Sequence, residues 1–141
     1  MKRKRRTEIL ISGSKELAAS MAALAEERHQ VEFMTEPENG LVMVKMRETA
    51  QNSLFYLGEV FVTECKARVN GTVGIGIVKG HEPELACHLA VIDAAFGATV
   101  PETEEWTELL LKEEEAIFER RRAEGRSILK TKVRFETMDT E

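Results

Sequence analysis

The chain reads as an α+β fold, an antiparallel four-stranded meander with helices before and after it. Three observations carry this reading. The β-branched and aromatic residues concentrate between 31 and 79, flanking segments repeat their apolar residues at helical spacing, and Asn-Gly pairs punctuate the β-rich middle. At 141 residues a single domain, 1–141, is expected.

Residues 3–12 form a basic, weakly amphipathic stretch around Ile9 and Leu10, ended by Ser12-Gly13-Ser14. Ser14 is a good N-cap, although the reciprocal Glu of a capping box is missing. Ala18, Met21, Ala22, Leu24 and Ala25 then recur at helical spacing to about His29. Val31, Phe33 and Met34 open an extended run. Pro37-Glu38-Asn39-Gly40 has turn chemistry, so 31–36 and 41–48 are expected to pair as a hairpin. A second hairpin joins Leu54–Val69 to Thr72–Lys79 through Asn70-Gly71, the strongest short hairpin signal in the chain.

The pattern then turns helical. Pro83 suits a first helical turn, Leu85, Leu89, Ile92 and Phe96 make one stripe, and Gly97 is placed to end it. Pro101 opens another helix with Trp106, Leu109, Leu110, Ile117 and Phe118, and Gly125 is expected to close it. Its acidic start and Arg120-Arg121-Arg122 match the helix macrodipole. Lys132-Val133-Arg134-Phe135 alternates and suggests a last strand or an arm.

Charge narrows the function. The net charge is −5, yet five basic residues crowd into Lys2–Arg6, leaving fifteen basic against twenty-five acidic residues elsewhere. Such a body is ill suited to nucleic acid. Lys2–Arg6 reads as a flexible or solvated arm, the alternative being attraction to RNA or a membrane surface. No apolar run has the length of a membrane span or signal peptide. Cys65 and Cys87 give no disulfide framework, so a reducing cytoplasm is the expected location.

The strands are apolar on both faces. Phe55, Leu57, Phe61, Cys65, Ala67 and Val69 share one side of 54–69, and Leu54, Tyr56, Val60 and Val62 lie on the other. A sheet of this kind needs cover on both sides, from the chain's own helices or from a partner chain. Ala86, Ala90, Ala94 and Gly97 add a small-residue stripe that lets another backbone come close.

Candidate chemistry is sparse. Gly71–His81 lacks the Gly-Lys-Ser/Thr order of a phosphate loop, and its glycines sit inside a strand rather than before a helix. Gly74 and Gly76 instead mark a bulge or a close backbone or ligand approach. Lys79-Gly80-His81 is the better anion candidate, since it leads toward a helix N-terminus. Asp93 lies among Val91, Ile92, Ala94 and Ala95, where a carboxylate needs a hydrogen-bonding partner or a task. No Cys or His pair has metal-ligand spacing, and no nucleophile has a base placed beside it. Lys79, Gly80, His81 and Asp93 are therefore candidates for anion binding or an interface, with no catalytic, cofactor or metal residue assigned.

One distributed pattern goes further. It comprises Asn39-Gly40-Leu41-Val42, Tyr56-Leu57-Gly58-Glu59, Asn70-Gly71-Thr72-Val73-Gly74, Lys79-Gly80, Ala90-Val91-Ile92-Asp93-Ala94 and Thr131–Met138. It resembles the PhnG family, subunits of the bacterial carbon–phosphorus lyase core complex of phosphonate catabolism. The resemblance implies no stand-alone activity and a symmetric assembly with PhnI-, PhnH- and PhnJ-like subunits and a PhnK- or PhnL-like ATPase. It implies a supporting role in transfer of a phosphonate to ribose C1 of ATP, with adenine displaced. ATP is then a substrate of the complex, and the iron–sulfur cluster and S-adenosylmethionine belong to a partner. The rival reading is an independent small-molecule- or nucleotide-binding domain using the Lys79-Gly80-His81 turn.

Overall fold

The structure, a computed structural model, describes residues 1–139, with side chains through Arg126. In chain order it comprises α1 (Arg3–Ser12), α2 (Lys15–Arg28), β1 (Val31–Phe33), β2 (Glu38–Arg47), β3 (Leu54–Val69), β4 (Thr72–Lys79), α3 (Pro83–Gly97) and α4 (Glu102–Asp139). The α+β class is as the sequence predicts.

The strand order differs in one respect from a four-strand meander. Val62, Thr63 and Glu64 of β3 pair with Gly40, Asn39 and Glu38 on one edge and with Lys79, Val78 and Ile77 on the other. Ala67–Val69 pair with β1 and β4 in the same way. β1 and β2 thus lie end to end along one edge of β3 and do not form the expected hairpin. Two physical reasons account for this. Sixteen residues of β3 offer enough edge for both segments, and Pro37, with no N–H to give, interrupts that edge without turning the chain back. The Asn70-Gly71 hairpin is present, with positive φ at both residues (49° and 87°), the geometry of a type I′ turn.

β4 packs α3 against the sheet at very short range. A Cβ on Gly74 would overlap Ala94 N and lie 2.5 Å from Ala90 O, and one on Gly76 would overlap Ala86 O and lie 2.7 Å from Ala90 N. The small-residue stripe of α3 therefore meets the glycines of β4, and the close approach predicted for both is made within the chain. Thr63, Cys65, Ala67 and Val69 face this helix and are buried. Above α3 lies α2, through Ala18, Met21, Ala22 and Ala25, while α4, packed chiefly against α1, joins the same core through Trp106, Leu110 and Ile117. Ser14 caps α2 by accepting from Glu16 N–H at 3.2 Å.

Helix α4 runs on through Gly125 to Asp139, so neither the stop at Gly125 nor the strand at Lys132–Phe135 occurs. One interior glycine weakens a helix by about 1 kcal/mol relative to alanine, too little to end one already nucleated. No helix among the described residues is long and apolar enough to cross a membrane.

The sheet is roofed on one face of one half. The outer face of β4 leaves Val73, Ile75 and Ile77 exposed. Beyond Gly40 and Val62 the β2–β3 ribbon extends past the helices, and residues of both its faces are bare: Leu41 is 63% exposed, Leu54 59%, Met43 56% and Leu57 55%. A register shift between Val44 and Lys45 leaves Leu57 without a cross-strand partner in this ribbon.

Candidate functional site

The four candidate residues fall in two places. Lys79, Gly80 and His81 form the turn from β4 into α3, whereas Asp93 lies ten residues into α3, about 15 Å along the helix.

At the turn, Gly80 adopts φ 85° and its N–H donates to Phe61 O at 2.8 Å. The buried Thr63 hydroxyl donates to Gly80 O at 2.7 Å and accepts from Glu82 N–H at 3.0 Å. A sheet hydroxyl thereby caps a helix whose own N-cap residue, Glu82, makes no side-chain cap. Imidazole Nδ1 of His81 lies 3.1 Å from Asn39 Oδ1 and donates to it. His81 also lines a cleft of about 530 Å³ with Lys15, Glu16, Glu82, Glu84 and His88. Lys79 does not line it, and Lys15 is ion-paired to Glu82. Three carboxylates in the wall make this a poor anion pocket.

Asp93 is engaged on several sides. Its Oδ2 accepts from Arg3 Nη2 at 2.7 Å and from Ile75 N–H at 3.0 Å, and its Oδ1 accepts from Arg6 Nη2 at 2.9 Å. The Arg6 guanidinium also lies 4.2 Å over the Phe96 ring, and only 9% of its side chain is exposed. Burial pushes the Arg6 pKa down, and the Asp93 charge opposes that shift. The partner that Asp93 needed is thus the basic start of the chain. Arg3–Arg6 are not a flexible arm but part of α1, and Arg5 forks onto Glu114 (Nε–Oε2 2.9 Å), which raises the Arg5 pKa and lowers that of Glu114. Four basic residues at a helix N-terminus oppose the macrodipole. These acidic partners on α3 and α4 offset that conflict. Glu113 is also occupied, accepting from Ser14 N–H at 3.0 Å.

Two further groupings were not apparent in the sequence. His29 Nε2 lies 2.8 Å from Glu102 Oε2, tying the end of α2 to the start of α4 and holding the Glu102 carboxyl below its ordinary range. Cys65 and Cys87 meet across the sheet–helix interface. The i, i+3 spacing of Arg3 and Arg6 was a readable signal that both share a helix face. For His29 with Glu102, 73 residues apart, no local pattern exists.

Among the described residues no three His, Cys, Asp or Glu side chains converge to hold a metal ion. A further candidate is a surface, the bare apolar ribbon of β2 and β3. Comparison with curated proteins returns no match. The family model described as phosphonate metabolism protein PhnG matches residues 1–139, nearly the entire sequence, and the chain belongs to that family.

Proposed function

We propose that this chain is an accessory subunit of the carbon–phosphorus lyase core complex, supporting transfer of a phosphonate to ribose C1 of ATP with loss of adenine. On this reading ATP binds to the assembly, and the iron–sulfur and S-adenosylmethionine chemistry sits on a PhnJ-like partner. The chain contributes surface, not reacting groups, to PhnI-, PhnH- and PhnJ-like subunits. The observation that carries the proposal is the β2–β3 ribbon, apolar on both faces and uncovered by the chain's own helices. Area of this kind is disfavoured in water and marks an interface.

Leu41 and Phe61 are cross-strand partners at the base of the ribbon, 63% and 44% exposed. The double variant Leu41→Ser/Phe61→Ser is expected to fold normally yet lose co-purification with a PhnI-like subunit. The unsubstituted chain alone is expected to self-associate, and transferase activity to appear only in the reconstituted assembly. A monodisperse monomer indifferent to that subunit, or retention of the partner by the double variant, refutes the proposal.

A further inference from the structure

Two thiols lie against each other where α3 meets the sheet. Cys65 is fully buried on the packed half of β3, and Cys87, in the second turn of α3, is half-buried. Their sulfurs are 3.2 Å apart, and the Cys65 thiol points toward Thr35 O at 3.8 Å. The glycines of β4 explain the contact. Cys65 pairs with Gly76, the position at which Ala86 O and Ala90 N press on the sheet. A side chain there would hold the helix off and separate the sulfurs.

The two thiols are not equivalent. Cys87 lines an open surface cavity of about 230 Å³ with Phe33, Pro37, Pro83 and His88, and Cys65 does not reach it. We propose that Cys65 and Cys87 form a thiol-oxidation site in which a low-molecular-weight disulfide reacts first at Cys87 and Cys65 then closes an intramolecular disulfide. The Cys87 sulfur attacks RSSR, forming Cys87–S–SR and releasing one RSH. The Cys65 sulfur displaces the second RSH as the Cys65–Cys87 bond forms. Two protein thiols are oxidised, one RSSR is reduced to two RSH, and the two protons leave with those thiols.

Reactivity agrees with that order. Burial, followed by the hydrogen bond it shares with Cys87, pushes the Cys65 thiol up to about 12, so Cys65 is a weak nucleophile until a mixed disulfide sits in contact with it. Contact then supplies the effective concentration that its low thiolate fraction lacks. Bond closure needs the sulfurs to approach by only roughly 1 Å. A poor leaving thiol at Cys65 also slows the reverse attack on Cys87.

The test uses the full-length chain in native buffer with excess oxidised glutathione, acid quenching and mass spectrometry of alkylated peptides over time. The expected sequence is a transient glutathione adduct on Cys87, followed by loss of two hydrogens and a cross-linked Cys65–Cys87 peptide. In Cys65→Ser the adduct on Cys87 persists, and in Cys87→Ser the Cys65 thiol stays unmodified until the chain is unfolded. A stable adduct on Cys87 in the unsubstituted chain overturns the proposal. So does a disulfide between two copies, or two thiols that remain free throughout. The time course on the unsubstituted chain decides the matter even where a variant fails to fold.

Discussion

Replacing Asp93 with alanine removes the acceptor of two guanidinium groups and one backbone N–H. The consequences of the two arginines differ with their exposure. The side chain of Arg3 is 62% exposed, so its pair with Asp93 contributes about 0–1 kcal/mol. Arg6 is 9% exposed and pinned over Phe96. Losing one partner of a buried pair costs about 3–5 kcal/mol, and the 14% exposure of Asp93 favours the lower end. A loss of about 3 kcal/mol is a large share of the 5–15 kcal/mol typical of a domain. With an m-value of about 2 kcal/mol per molar urea, the unfolding midpoint falls by about 1.5 M. Circular dichroism over a urea series measures this for Asp93→Ala, Asp93→Asn and Arg3→Ala. Asp93→Asn keeps an acceptor for Ile75 N–H and is expected to fall between the other two. If Asp93→Ala shifts the midpoint no more than Arg3→Ala does, the buried-pair argument is wrong.

Gly76→Ala places a Cβ against helix backbone and is expected to cost about 3 kcal/mol, the upper end for overpacking. Gly40→Ala, with open space around it, should stay within about 0.5 kcal/mol in the same thermal melts. Thr63→Val removes the hydroxyl that serves Gly80 O and Glu82 N–H, at about 1–3 kcal/mol, and the Glu82 amide should then exchange faster with deuterium. For pH, Glu102 is held below its ordinary range chiefly by the hydrogen bond from His29, and Glu114 by that from Arg5. A depressed acid gives stability that is complete above its unfolded pKa of about 4.3 and is lost as pH falls through the lower folded value. Melts between neutral pH and pH 3 should therefore show a flatter acid limb in Glu102→Gln than in the unsubstituted chain.

What could be read from the sequence was local or periodic. Ser14, Pro83 and Asn70-Gly71 act on their own neighbours, so the α2 and α3 starts and the β3–β4 hairpin were legible. Gly74 and Gly76 announced a close approach, and the alanine stripe of α3 was its other half. The failures share a cause. Pro37-Glu38-Asn39-Gly40 has turn chemistry, but the edge of β3, distant in sequence, decides that Asn39 and Gly40 are strand residues. Gly125 looks like a stop because its weakness is local, whereas the helix it sits in is cooperative. Asp93 was visible as a misfit, yet its partners, 87 and 90 residues away, were hidden in a charge run that resembles a tail. The need of the strands for cover on both faces was legible, with its source left open, while the ribbon's bare position beyond the helices needed the β2–β3 register.

At about 3.3 Å per residue the sixteen residues of β3 span about 53 Å. A single unbroken strand therefore serves both as the projecting beam and as the foundation clamped under α3. Thr63, whose hydroxyl holds the first turn of α3, sits where the two parts meet.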